Sequence, residues 1–67
     1  MATETYGGYT IRGFAKPMGD GSFEASGAVE KGTQVLETSD PIGFYPSFQR
    51  AVAEGLVWAR AWVDAHV

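Results

Sequence analysis

The sequence predicts an α+β domain: a three- to four-stranded antiparallel meander with one C-terminal amphipathic helix packed on one face. Residues 8–38 alternate apolar and polar side chains in short runs between glycine-rich turns, which is the period of half-buried strands. Residues 47–65 instead repeat apolar side chains every three to four positions, the period of a helix that buries one side. We expect residues 1–67 to form a single domain in which 1–7 are a flexible lead, 8–45 form the strands and 47–65 the helix.

The first strand is predicted over residues 8–16, where Tyr9 and Ile11 alternate with polar neighbours. Gly13 breaks this alternation, and Phe14 then falls on the opposite parity. We favour a β-bulge at Gly13, because one extra residue would turn Phe14 inward. Without the bulge, Phe14 lies on the exposed face.

The second strand is predicted over residues 22–30, after a turn over 17–21 that is rich in glycine and contains proline. Its alternation is regular, with Phe23 and Val29 on the apolar side. Gly27 falls on the same side, where it leaves room for a large side chain from another element.

The third strand is expected over residues 33–38, although the adjacent Val35 and Leu36 leave its facing open. Pro41 follows this strand and cannot donate a hydrogen bond to a ladder. Residues 42–45 then form either a short fourth strand or a packed loop.

The helix is predicted to begin after Ser47, whose hydroxyl can accept a hydrogen bond from a first-turn N–H group. Gly55 lies near the middle of its apolar side and costs about 1 kcal/mol of helix propensity relative to alanine. We interpret this glycine as a close approach of the helix backbone to the sheet, over Tyr9 or Phe23. The apolar side consists of Phe48, Ala51, Val52, Gly55, Leu56, Trp58, Ala59, Trp62 and Val63.

Composition and charge bound the class of function. The chain has 67 residues with a net charge of −3, which argues against broad nucleic-acid binding and leaves a local basic patch open. It has no cysteine and one histidine, which excludes a disulfide framework, a thiolate metal site and any metal site that needs two histidines. No apolar run approaches the ~20 residues of a membrane helix, and the polar N-terminus is unlike a secretory signal. We therefore expect a cytoplasmic protein that does not associate with membranes.

No residue pattern indicates an enzyme. The segment Asp20-Gly21-Ser22 superficially resembles a calcium-binding or phosphate-binding loop. It lacks the spaced acidic residues that calcium needs and the lysine of a phosphate-binding loop, so it predicts an ordinary turn. Asp64 and His66 could serve as an acid–base pair, but no nucleophile can be placed beside them. We predict no catalytic residue, no cofactor and no metal ligand.

A basic strip is predicted on the sheet face that the helix leaves open. It consists of Arg12 and Lys16, with Lys31 as a further candidate. With Phe14 exposed beside it, this strip would be a small stacking platform for single-stranded nucleic acid. Glu24 and Glu30 on the neighbouring strand would pair with these cations and favour an ordinary mixed-charge face.

Aromatic residues are more numerous than one helix and three strands can hide: two Trp, three Tyr and four Phe. Those near the start of the helix either line a cleft or form the core: Phe44, Tyr45, Phe48, Trp58 and Trp62. We expect Tyr45 and Trp58 to be the most exposed of them and to mark an interaction surface or dimer seam. The predicted interaction surface is therefore Arg12, Phe14, Lys16, Tyr45 and Trp58.

Three groups of spaced residues carry a resemblance to known proteins. They are Tyr6-x-x-Tyr9-x-Ile11, Asp20-Gly21-x-Phe23-x-Ala25, and Phe44-x-x-Ser47-x-x-x-Ala51-x-x-x-Gly55-x-x-x-Ala59-Arg60-x-Trp62-Val63-Asp64. Over nearly its whole length the chain thus resembles small uncharacterised proteobacterial proteins of βββα layout. This resemblance implies a fold, but no reaction, ligand or site residue.

A more distant likeness is to the HicB-type antitoxin domain. That domain is similar in its antiparallel strands, its x-G-x-[ST] turn and its alanine-rich helix, and residues 43–51 roughly fit the turn and the helix start. It implies an antitoxin or a small nucleic-acid-binding regulator. Our leading hypothesis is instead a non-enzymatic domain that acts through protein contacts or self-association, with a homodimer or another protein as partner.

Overall fold

The computed structural model describes residues 2–66, which form a sheet of five strands and a single helix. The elements are β1 (Ala2–Tyr6), β2 (Tyr9–Pro17), β3 (Phe23–Lys31), β4 (Gln34–Thr38), β5 (Gly43–Tyr45) and α1 (Phe48–His66). All pairings are antiparallel in the order β1-β2-β3-β4, and β5 also pairs with β3. The predicted α+β meander with one C-terminal helix is confirmed.

The N-terminal segment differs from the prediction. Residues 2–6 form the edge strand β1, so the expected flexible lead is wrong; Met1 lies outside the described residues. Gly7 and Gly8, with φ of 57° and 87°, form the two-residue turn that folds β1 onto β2. A turn with positive φ at both central positions matches the twist of a hairpin, and the pair of glycines adopts it without steric cost.

Two side-chain contacts tie β1 to the helix. The Tyr6 hydroxyl donates a hydrogen bond to Asp64 (2.8 Å), and Arg60 forms an ion pair with Glu4 (3.3 Å). The hydrogen bond to the Asp64 carboxylate raises the pKa of Tyr6, because it stabilises the protonated phenol. Sequence alternation within residues 1–7 could not reveal these contacts, since their partners lie some 56 or more residues away.

No bulge exists at Gly13 among the described pairings. β2 and β3 pair in unbroken register from Thr10 to Pro17, so the expected bulge is wrong. Phe14 therefore lies on the face away from the helix, where it is half-buried. Gly13 serves a different purpose, because a Cβ atom there would overlap the carbonyl oxygen of Val52 in the helix.

Three glycines bring the helix backbone against the sheet; we call Gly13, Gly27 and Gly55 the glycine seam. A Cβ on Gly55 would overlap the Ser26 carbonyl oxygen and lie 2.9 Å from the Cα of Gly13. A Cβ on Gly27 would lie 2.5 Å from the Gly55 carbonyl oxygen and 2.9 Å from the Trp58 ring. The predicted close approach at Gly55 is confirmed.

The predicted location of this close approach is wrong. Gly55 lies over Gly13 and Ser26, not over Tyr9 or Phe23. The space at Gly27 is filled by helix backbone and by the edge of the Trp58 indole, a large side chain as the sequence suggested.

The core lies between the glycine-lined centre of the sheet and one side of α1. Its buried members are Ile11, Val29, Val52, Leu56, Ala59 and Val63. Trp58 and Trp62 are half-buried and pack against this cluster. The spacing of Trp58 and Trp62, four residues apart in the helix, predicts that they stack on each other. Trp62 instead meets Tyr9 edge to face (6.3 Å between centroids) and stacks on His66 (3.8 Å).

The helix start agrees with the sequence. The Arg50 backbone N–H donates to the Ser47 hydroxyl at 3.0 Å, so Ser47 is the predicted N-cap. The helix extends from Phe48 to His66, one residue beyond the predicted end.

The second edge of the sheet is shared by β4 and β5, which pair with opposite halves of β3. Val35 lies opposite Glu30 and Glu37 opposite Val29, which leaves Leu36 as the extra residue of a bulge. The bulge explains why adjacent apolar residues gave no clear facing, since it interrupts the alternation. Residues 43–45 are a strand, which settles the alternative between strand and loop.

We expect Gly55→Ala to destabilise the fold by about 2 kcal/mol or more, because the added methyl group overpacks a backbone contact. Helix propensity alone predicts the opposite, a gain of about 1 kcal/mol. The measurement is urea unfolding monitored by circular dichroism. The matched control is Ala53→Gly at an exposed position of the same helix, which should cost about 1 kcal/mol. A Gly55→Ala protein more stable than the native one would contradict the seam.

Candidate interaction surface

The sheet has one face that packs under α1 and one that no described element covers; we call the latter the open face. Strand register assigns its members, because residues opposite each other in a ladder share a face. They are Thr3 and Thr5 of β1, Thr10, Arg12, Phe14 and Lys16 of β2, Glu24, Ser26, Ala28 and Glu30 of β3, Val35 and Thr38 of β4, and Phe44 of β5.

The charged residues of the open face are arranged across the β2–β3 ladder. Arg12 Nε donates to Glu30 at 2.6 Å, and Arg12 Nη1 donates to the Thr3 hydroxyl at 3.0 Å. The hydrogen bond to Glu30, and then the attraction of its charge, raise the pKa of Arg12. Lys16 lies directly opposite Glu24 in the ladder. The predicted cross-strand ion pair is thus confirmed for Arg12.

Lys31, the further candidate for the basic strip, does not belong to it. Its ammonium group lies 5.0 Å from the centre of the Tyr9 ring, and Tyr9 packs against the core under the helix. A cation over an aromatic face is attracted by the electron density of the ring. Parity explains the difference, since Lys31 follows Glu30 and successive side chains of a strand point to opposite faces.

The apolar part of the open face is most exposed at its edge. Phe44 retains 60% of its surface in contact with solvent and Val35 retains 55%, whereas Phe14 near the middle is half-buried. Ala28, also on this face, is nearly inaccessible because Arg12 and Thr38 flank it. The open face therefore presents one central aromatic ring and two exposed apolar groups among charges and hydroxyls.

Tyr45 and Trp58 do not join the open face. Tyr45 lies opposite Phe23 on the helix side, with the Arg50 guanidinium 5.2 Å from its ring, and Trp58 packs over Gly27. Both are half-buried, so the expectation that they are the most exposed aromatic residues is wrong.

The most exposed aromatic residues are Phe44 and Phe48, at 60% and 45%. The structure thus brings Arg12 and Lys16 together as predicted, joins Phe14 to them as in the alternative without a bulge, and separates Tyr45 and Trp58 from them. The sequence alone places Phe44 only in a general aromatic group. The pairing of β5 with β3 decides that Phe44, and not the adjacent Tyr45, points outward.

The candidate acid–base and ion-binding side chains each make a structural contact instead. The Asp64 carboxylate accepts a hydrogen bond from the Tyr6 hydroxyl. The His66 ring stacks on Trp62, and its Nδ1 lies 2.7 Å from the Trp62 carbonyl oxygen. Asp20 accepts the backbone N–H and the hydroxyl of Ser22, and these hydrogen bonds lower the pKa of Asp20. This is the geometry of an ordinary Asx turn.

Residues 2–66 contain no pocket and no group of three acidic or histidine side chains arranged to hold a metal ion. Within that same part of the chain, the helix is not apolar enough over its length to cross a bilayer. Comparison of the chain with protein-family models, with curated proteins and with solved structures gave no match.

We expect Phe44→Thr to leave the free energy of unfolding within about 0.5 kcal/mol of the native value, because the exposed ring supports little of the fold. Threonine keeps the β-propensity of the position. The matched change Phe23→Thr on the helix side should cost about 2 kcal/mol, because it removes a half-buried ring that meets Phe48 edge to face. Urea titration of both variants measures the difference. Equal losses would mean that Phe44 is a structural residue.

Proposed function

We propose that this protein is a non-enzymatic cytoplasmic interaction domain that acts through protein contacts or self-association on its open face. The observation that supports the proposal is a complete sheet face, uncovered by any described element, on which Phe14, Val35 and Phe44 reach solvent. Single exposed apolar residues are common on soluble proteins. Here three share one face.

The physical reason is the distribution of aromatic surface. Burying an aromatic ring in an interface removes a large apolar area from water, and a few such anchors carry most of the binding free energy. Phe14 lies between Arg12 and Lys16 on β2, while Val35 and Phe44 expose apolar surface at the edge of the same face. Aromatic residues and arginine are enriched in protein interfaces.

The test places a photo-reactive benzoylphenylalanine at position 44 in living cells. We expect ultraviolet light to attach the protein covalently to another polypeptide chain, detected by electrophoresis and mass spectrometry. The matched control is the same probe at Val57, which is exposed to a similar extent, 52%, on the helix. Adducts at position 44 and few at position 57 support the proposal. Equal yields at both positions, or none at position 44, would overturn it.

The second candidate is a nucleic-acid-binding regulator, which the likeness to HicB-type antitoxins implies. One observation favours it: Arg12, Phe14 and Lys16 occupy successive outward positions of β2, so a base could stack between two cations. The ion pair with Glu30 weighs against it, because Arg12 must leave that carboxylate to reach a phosphate.

Fluorescence anisotropy of a labelled single-stranded oligonucleotide tests this candidate. If it holds, binding weakens with added salt, and Arg12→Glu reduces the affinity by about tenfold or more. The matched control is Lys31→Glu, which makes the same change of charge away from the open face. Equal losses in both variants would indicate general electrostatic attraction, and no binding at low salt would remove the candidate.

A further inference from the structure

The charges of the open face are sorted by strand. Its two cations, Arg12 and Lys16, both lie on β2, and its two acids, Glu24 and Glu30, both lie on the adjacent β3. The face therefore carries a positive row beside a negative row and has no net charge. The whole chain carries −3, so its excess of acid lies on other surfaces.

Two neighbouring rows of opposite sign are complementary to a copy of themselves. Consider two open faces in contact, related by a twofold axis that runs parallel to the strands between β2 and β3. The rotation exchanges left and right, so β2 of each copy lies over β3 of the other. Lys16 of each copy then faces Glu24 of the other copy. Arg12 of each copy approaches the end of the other copy's β3 that bears Glu30.

The other simple symmetry is unfavourable. A twofold axis perpendicular to the strands places β2 over β2 and β3 over β3, which opposes rows of like sign. Like charges brought together in an interface cost free energy and exclude that arrangement. The sorting of charge by strand therefore selects both the partner and its orientation.

We propose that the open face binds a second copy of this chain, sheet against sheet, about a twofold axis parallel to the strands. This inference rests on the proposed function and names its partner. It makes an isologous dimer, in which the same surface of each copy meets the other.

The uncharged residues of the face fit the same arrangement. Phe14 lies opposite Ser26 in the ladder, so the exchange places each Phe14 ring over the small Ser26 of the second copy. Val35 and Thr5 occupy the same level at opposite sides of the sheet and meet in the dimer. The largest group of the face therefore meets a small one, which suits the roughly 10 Å spacing of packed sheets.

The area is sufficient for a weak specific dimer. The 31 residues of the five strands, at about 3.4 Å each along strands about 4.8 Å apart, give a face of roughly 500 Å² before the relief of side chains is counted. Stable specific interfaces bury about 800 Å² per partner.

The test uses sedimentation equilibrium of the purified full chain from about 10 µM to about 1 mM, with Lys16→Glu, Glu24→Lys and an equimolar mixture of the two. We expect the native chain to dimerise and each variant alone to bind itself about tenfold more weakly or worse, because like charges then face each other. The mixture should recover the native affinity, since each new glutamate faces a new lysine. The control Arg50→Glu changes the net charge as Lys16→Glu does, at an exposed position of the helix, and should leave dimerisation within about twofold.

A native chain that is monomeric at the highest concentration would overturn the inference. So would a dimer that both single variants leave intact, or single variants that the mixture fails to rescue. Photo-crosslinking at position 44 distinguishes a failure of the dimer from a failure of the interaction domain. Adducts with a different protein, together with a monomeric native chain, would overturn the second copy as partner and leave the interaction domain in place. Adducts with the chain itself, together with rescue, support both.

Discussion

The contact between helix backbone and sheet backbone at the glycine seam is the constraint on which the rest of this structure depends. With no Cβ on Gly13, Gly27 or Gly55, the Ser26 and Val52 carbonyl oxygens reach positions that any side chain would block. The layers are therefore close, and the buried residues between them are small: three alanines, three valines, one leucine and one isoleucine. Only the edge of one aromatic ring, the Trp58 indole, reaches this centre, where it lies over Gly27. The other rings lie at the flanks of the helix or on the far side of the sheet.

The open face follows from the same constraint. A strand that places Ile11 and Gly13 under the helix must place Arg12 and Phe14 on the opposite side, because side chains alternate. The bulge that would have turned Phe14 inward would also have moved later core positions of β2 out of phase with the helix. Core packing thus decides which residues lie on the open face. Phe14 lies there because Gly13 stays in regular register, packed against the helix backbone, and forms no bulge.

Local patterns predicted the elements whose cause is local. The helix and its Ser47 cap were readable because their hydrogen bonds and apolar side lie within one segment. β1 was not, since its stability comes from β2 and from distant partners such as Asp64. Likewise, Phe44 and Tyr45 are adjacent, and only the register with β3 shows which one faces solvent. The candidate surface was half predictable: alternation along β2 placed Arg12 and Lys16 on it, but Phe14 joined them only in the alternative without the bulge.

The charged rows also keep the open face of a single chain hydrated. Within one chain, Lys16 and Glu24 are ladder neighbours whose attraction is worth only about 0.2–1 kcal/mol, and water solvates both. When Lys16 and Glu24 pack against a second copy, both lose hydration and each gains an attraction to the opposite charge of that copy. The free energies of these two changes nearly cancel. In the proposed dimer the net driving force would therefore come from Phe14 and Val35, and the charges would set orientation more than strength. A small domain built this way gains stability from association by mass action, because only the folded sheet presents both rows in register.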